Sequence, residues 1–374
     1  MTTDAAASLA IASAVEGIST LGPLDDAAMA VAAARLDRLT KPPGSLGRLE
    51  ELVISIAGIT GRADVPVDRR WIVVAAGDHG VAREGVSAYP PEVTAQMVAN
   101  FVTGGAAINV LAAVTGTSLL VVDVGVAGAI PRTRPAARAG CQGGRLLRAR
   151  IANGTASMTA GPAMKRTDML HAVEVGLRTV EHLRRDDGVD VLGLGEMGIG
   201  NTTAASAIVA VLTGEAVSRV TGAGTGIDAD RRSHKIAVIE RAIEVNQPDP
   251  TDPLGVLAAV GGFEIAALVG LMLGAGAARI PVILDGFITG AAALLAATLQ
   301  PALAPRLIAS HQSTEPGHAI VLGRLGLRPY LDLGLRLGEG SGAALLMGIL
   351  DAASRIRDEM ATFDSAAVSG RTDG

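Results

Sequence analysis

Five short apolar runs, each closed by glycine or a polar residue, constrain this chain more than any other feature. They are Trp71–Ala76, Ser118–Asp123, Val189–Leu194, Ile280–Leu284 and Arg306–Ser310. Runs of this length bounded by charge, Gly or Pro read as short buried strands. Helix-prone stretches lie between them: Glu92–Val114, Met169–Arg185, Thr202–Leu212, Ser233–Asn246 and Gly262–Ala278. Strands alternating with helices predict an α/β fold, a parallel sheet with helices on both faces. The chain turns polar or glycine-rich where each strand ends: Gly77–Asp78–His79–Gly80, Asp123–Val124–Gly125, Gly195–Thr203, Asp285–Gly286–Phe287 and Ser310–Glu315. In open α/β sheets that edge is where ligands bind.

Aromatic residues make up only 2% of the 374, so the core must be built from Ala, Val, Leu and Ile. This length suits one large domain with a small one beside it. The first seventy residues differ in style. Ala5–Ala34 is Ala-rich and helix-prone, Lys41–Gly47 is a break, and an amphipathic helix runs from Arg48 to about Ile59. Gly342–Phe363 is a further helix. The expected division is a small helical domain from residues 1–70 with the helix 342–364, a large domain over 71–341, and a disordered tail at 365–374. A net charge of −5 without a basic run disfavours nucleic acid as a partner. The single cysteine, Cys141, excludes an intramolecular disulfide and a Cys-based zinc cluster. Met1–Ala7 has an acid and no basic n-region, so a cytoplasmic protein is expected. The uncharged stretch Val93–Val122 is interrupted by Gln96, Asn100, Gly104–Gly105 and Asn109. It reads as helix, turn and strand, so no membrane span is expected.

Gly193–Leu194–Gly195–Glu196–Met197–Gly198 formally matches G-x-G-x-x-G between a strand and a helix, which raises a dinucleotide site. The acid that such a site needs about twenty residues on could only be Glu215, and Val211–Gly214 before it is a poor strand. Gly198–Ile199–Gly200–Asn201–Thr202–Thr203 leads into a helix whose free N–H groups favour an anion. The same donors equally suit a plain cap by Asn201 or Thr202. Lys235, beyond the loop Gly222–Gly226, could reach a phosphate or simply be a solvated surface lysine. Glu339 stands alone among glycines in Leu337–Gly342. Partial burial there would suit it to general-base work, whereas an acid before a helix can also merely balance the dipole. His79 beside Asp78 is either a catalytic pair or a loop-shaping residue. No H-x-H or H-E-x-x-H spacing supports a metal, and Ser310, Ser313 and Thr314 carry no nucleophile-elbow pattern.

Seven segments in order across the chain make it resemble the nicotinate-nucleotide–dimethylbenzimidazole phosphoribosyltransferase family. They are Lys41–Gly47, Gly77–Gly80, Glu84–Val86, Gly195–Thr203, Val260–Phe263, Leu284–Phe287 and Leu337–Ala343. The resemblance implies a Rossmann-like large domain, a small helical domain from both termini, a homodimer, and no metal or other cofactor. It implies transfer of ribose 5-phosphate from nicotinate mononucleotide to 5,6-dimethylbenzimidazole, a step of cobalamin assembly. It places the general base on Glu339, a carboxylate aiding the transition state on Glu196, and the phosphate lysine on Lys235. Gly198, Asn201, Thr202 and the Ser313–Thr314–Glu315 loop fall in the mononucleotide site. Where some members set a Ser and a Gln against the base, this chain has Tyr89 and Met97, with Ser87 and Gln96 close by. The base accepted is thus left open between a benzimidazole and a related azole or phenol.

Overall fold

The computed structural model describes residues 3–64, 66–131, 143–224 and 226–369. Cys141, the tail beyond Ser369 and the expectations attached to them lie outside the described residues. Six strands form one sheet: β1 Arg70–Gly77, β2 Ser118–Gly125, β3 Arg145–Arg148, β4 Val191–Met197, β5 Val282–Leu284 and β6 Leu307–Ala309. All neighbours pair in parallel, in the order β3-β2-β1-β4-β5-β6. The order reverses between β1 and β4. Such a switch point opens a crevice beyond the carboxyl ends of the two strands.

The helices among the described residues run α1 Thr3–Thr20, α2 Asp26–Asp37, α3 Arg48–Thr60, α4 Val93–Thr103, α5 Ala107–Val114, α6 Arg166–His182, α7 Asn201–Thr213, the single turn α8 Val217–Val220, α9 Ala229–Asn246, α10 Pro253–Val260, α11 Phe263–Ala277, α12 Phe287–Leu299, α13 Pro316–Leu325 and α14 Ser341–Glu359. Successive side chains of a strand point to opposite faces, and β1 shows the consequence. Trp71, Val73 and Ala75 join the core beneath α6, α7, α11 and α12. Ile72, Val74 and Ala76 join the opposite core with α4, α5 and α14. Both faces are apolar because both are covered.

Several elements differ from their sequence-based expectations. β3 carries no apolar run of the kind read as a strand, because its four residues begin and end with arginine at a half-exposed edge, where a strand has no need of a continuous apolar run. The expected helix Glu92–Val114 is two helices, because Gly104 adopts a left-handed φ of 84° and ends the first. By length and composition the stretch Val93–Val114 could cross a membrane, yet Val98, Phe101 and Ile108 sit in the core against the sheet. α2, α3 and α14 share a core of Leu36, Leu39, Val53 and Ala353. α1 instead packs on α6 and α11. Its Ala7, Ile11 and Ile18 lie in the main core, and Gly17 comes within van der Waals reach of Ala277. α14 stops at Glu359, short of the expected end. The chain beyond it pairs with the exit of α2, Thr40 donating to Ala361 and Phe363 to Arg38. Ser365–Ser369 are not a free tail, since Val368 donates back to Phe363 and Thr362 to the Ser365 hydroxyl.

The tightest crossing among the described helices joins α6 and α11. A Cβ on Gly270 would overlap the Val173 carbonyl, and one on Gly176 would overlap that of Ala267. Alanine improves helix propensity by about 1 kcal/mol over glycine, while overpacking a close crossing costs about 1–3 kcal/mol. The steric cost should win. Gly270→Ala is expected to lower the urea midpoint by an amount equivalent to about 1–2 kcal/mol, checked by equilibrium unfolding followed by circular dichroism.

Candidate active site

A cavity of about 510 Å³ lies beyond the carboxyl ends of the central strands. Its wall combines Glu196–Thr202 after β4, Val93 and Met97 on α4, the β5–α12 corner, His311, Ser313 and Glu315 after β6, and Arg336–Glu339 before α14. The ligand-binding edge expected at the switch point is thus one pocket, built chiefly from the chain that follows β4, β5 and β6.

Glu339 sits between two glycines, and all three residues are left-handed, with φ of 81°, 65° and 86° for Gly338, Glu339 and Gly340. A non-glycine residue there costs about 1–2 kcal/mol, so its surroundings must hold it. Two features do so. Asp285, fully buried at the end of β5, accepts the N–H groups of Gly340 at 3.0 Å and Gly342 at 2.7 Å. Gly195 on β4 lets this loop lie directly on the strand, since a Cβ there would stand 2.5 Å from Gly340 N. The acid that balances the start of α14 is thus Asp285, which leaves Glu339 free of the capping duty the sequence allowed it. Burial pushes Glu339 up to about 7, against one backbone N–H from Ile108 at the start of α5. Its Oε2 is buried and has no hydrogen-bond partner among the described residues. Asp285 is also raised to about 7, by burial, which outweighs its bonds to Gly342, Gly340 and Ala343.

In the loop after β4 neither Asn201 nor Thr202 caps α7 with its side chain. The cap position of α7 is Gly200, with φ of 96° and no side-chain bond. Asn201 donates instead to the Glu196 carboxyl, and the Thr202 hydroxyl accepts from Lys235 Nζ at 2.8 Å. Both side chains line the cavity, and at the helix start Asn201 N and Thr203 N turn back to the Gly198 and Gly200 carbonyls at 3.1 and 3.0 Å. Lys235 is not a surface lysine; it is fully buried. Burial lowers it to about 8 while the Glu315 carboxylate pulls the other way. Glu315 Oε1 accepts the N–H of Gly224 at 2.8 Å, which ties the Gly222–Gly226 loop to the post-β6 segment (Thr225 lies outside the described residues). Glu196 is raised well above the ordinary carboxyl range, first by burial, then by the negative charges of Asp285, Glu264 and Glu339. The Asn201 amide, donating to the same carboxyl, pulls the other way.

Among the other expected residues, Gly198 lies against β1, its missing Cβ making room for the Gly77 carbonyl. Tyr89 and Met97 line the cavity, whereas Ser87, Gln96 and Thr314 are not part of its wall. Gln96 precedes Met97 on α4 and points away. Thr314 lies between buried Ser313 and Glu315 in an extended segment and faces out. The Ser87 hydroxyl accepts from Tyr89 N at 3.2 Å and so shapes the approach to α4. His79 pairs with Glu264 at 2.6 Å rather than with Asp78, both buried below the glycine loops. Burial would lower the imidazole, but Glu264 and Asp78 hold it raised. It shapes the floor of the site. Gly193 and Gly195 lie inside β4, where they make room for α14 and the Glu339 loop. The G-x-G-x-x-G match is thus not a dinucleotide turn.

Asp285, His311 and Arg336 are residues of the site that sequence reasoning did not single out. Asp285 was visible only as the end of a strand, because its partners lie 55 and 57 residues further on. His311 lines the cavity and burial lowers it to about 4, so it stays neutral. Arg336 sits in a leucine-rich run with no spacing signal.

A family model described as a phosphoribosyltransferase matches residues 21–368. A nicotinate-nucleotide–dimethylbenzimidazole phosphoribosyltransferase from Roseiflexus sp. (strain RS-1) is 55% identical over 358 residues, 96% of this chain and 98% of the relative. The protein of the same name from Chloroflexus aggregans is 55% identical over 352 residues, 94% of this chain and 97% of the relative. The crystal structure of CobT from Thermus thermophilus superposes with a TM-score of 0.83 at 45% identity, covering 91% of this chain and 99% of that one. Near-complete coverage at this identity, on the fold and pocket described above, makes this chain a member of the nicotinate-nucleotide–dimethylbenzimidazole phosphoribosyltransferase family.

Proposed function

We propose that this protein transfers ribose 5-phosphate from nicotinate mononucleotide to 5,6-dimethylbenzimidazole or a related base, giving α-ribazole 5′-phosphate and nicotinate for cobalamin assembly. The observation that carries the reading is Glu339: a buried carboxyl near pH 7, freed from capping by Asp285, on the wall of a cavity that also opens onto a helix start backed by a buried lysine. The names of the relatives and the order of the motifs along the chain support it. The reading carries with it the homodimer, the cytoplasmic setting, and the division into a small helical part and a large α/β part that the resemblance implies.

One imidazole nitrogen of the acceptor attacks the anomeric carbon. The bond from that carbon to the pyridinium nitrogen breaks, and its electron pair stays on nicotinate, whose ring leaves neutral. The proton on the acceptor's second nitrogen becomes acidic as the new bond forms, and Glu339 takes it. Direct displacement inverts the anomeric carbon, which converts a β-nucleotide into an α-riboside. Holding both reactants in one cleft supplies much of the rate. Lys235 and the start of α7 hold the phosphate. Glu196, beside these groups, assists the developing positive charge at the anomeric carbon, and Tyr89 and Met97 give the acceptor an apolar wall.

Nicotinate release and α-ribazole 5′-phosphate formation, followed by mass spectrometry, test this directly. Glu339→Gln is expected to lower kcat by about 10²–10⁴-fold, the usual worth of a positioned base. Full activity in that variant would remove the base role, and absence of product from wild type with any azole or phenol would leave only a nucleotide-binding module. The pH profile of kcat/KM should rise through about 7 as Glu339 ionises and fall above about 8 as Lys235 loses its charge. Glu339→Gln should abolish the acidic limb, measured as residual activity.

Stability should carry the opposite sign. A carboxyl raised in the folded state binds more protons than the unfolded chain between its two pKa values, so its contribution falls as pH rises from about 4 to about 7. Glu339→Gln removes that loss. Relative to wild type, its urea midpoint should be higher at pH 8 than at pH 4.5; an equal difference at both would show that Glu339 is not raised.

A further inference from the structure

Arg336 lines the cavity and is exposed there. Its Nη1 donates to the Gly224 carbonyl at 3.2 Å. Among the described residues it has no carboxylate partner, so most of its five donors and its whole charge stay available. The same glycine adjoins the buried cation: a Cβ on Gly224 would stand 3.2 Å from Lys235 Nζ and 3.0 Å from Thr202 Oγ1. Two cations, one buried and one at the rim, thus meet at one glycine, against the single Glu315 carboxylate that accepts its N–H. A planar guanidinium beside an ammonium matches a terminal phosphate, which offers several acceptor oxygens.

Arg336 also shares a short span with Glu339. Upstream, the Leu335 carbonyl accepts from Thr314 N at 3.2 Å. Downstream, Gly340 N is held by Asp285. Between these anchors lie only Arg336, Leu337, Gly338 and Glu339, and the last two are left-handed. This short link is the covalent route by which a guanidinium drawn onto a ligand would act on the carboxyl three residues away.

We propose that Arg336 binds the 5′-phosphate of the ribosyl donor and, in doing so, sets Glu339 in place over the reacting centre. This rests on the transferase reading above. The phosphate is remote from the bond that breaks, so its binding energy acts on the chemical step, and a donor without it loses kcat more than KM. Arg336 is a binding and positioning residue, distinct from the base it moves.

The test compares nicotinate mononucleotide with nicotinate riboside as donors, 5,6-dimethylbenzimidazole being saturating, in wild type, Arg336→Gln and Arg336→Lys. Wild type should favour the mononucleotide by about 100-fold in kcat/KM, mainly through kcat, as remote binding energy used in the transition state requires. In Arg336→Gln that preference should shrink about tenfold or more, roughly the weight of one charge-assisted hydrogen bond, with Arg336→Lys between the two. An equal fall with both donors, preference intact, would overturn the proposal: it is the result for a guanidinium that only braces Gly224 or holds the nicotinate carboxylate. A change confined to KM would overturn the positioning role. If wild type transfers from neither donor, the transferase reading fails and takes this inference with it.

Discussion

The grip of Asp285 on the backbone of Gly340 and Gly342 is the interaction on which the site depends. It fastens the start of α14 to the end of β5 and holds the left-handed turn that presents Glu339. It works only because Gly195 leaves room for that turn against β4. The anchor is not comfortable. A carboxyl moved from 3.8 to about 7 has its charged form disfavoured by ~4 kcal/mol even with three N–H groups around it. The structure accepts this cost, and the strain at Glu339, where the chemistry is placed; such strain persists because the surrounding packing over-determines it.

Glu196 and Glu339 line the cavity, with Glu264 and Asp285 buried close by, and the three neighbours of Glu196 raise it beyond what burial does. Lys235 and Arg336 gather around Gly224, where Glu315 balances one of the two charges. Burial raises Glu196, Asp285 and Glu339 together, as clustered acids at functional sites commonly are. The two cations suit a phosphate.

Much of this was legible from local pattern. The five apolar strands and the polar residues at their ends could be read because a doubly covered parallel strand must be apolar throughout and must stop at a turn. β3 could not, as an edge strand bounded by arginines escapes that rule. The break at Gly104 was present as a glycine pair, but an apolar run on either side masked it. In the site, the glycine loops and Glu339 were legible because small neighbours and a lone acid are local signals. That Asn201 and Thr202 do not cap the helix was not, since their side chains turn instead to Glu196 and to a lysine 33 residues away. Asp285 and Arg336 depend wholly on partners brought by the fold, and no spacing announces them. The seat of α1 on α6 and α11 is another such long-range fact.

The most direct measurement is the ionisation of the Glu339 carboxyl itself, followed by infrared difference spectroscopy between wild type and Glu339→Gln across a pH titration. A protonated-carboxyl band that is lost with a midpoint near 7, and is absent from the variant, is the result expected of a buried base released from capping. A midpoint near 4, roughly the ordinary value for an exposed glutamate, would mean that the carboxyl is solvated and that the left-handed turn does not prepare it for proton transfer.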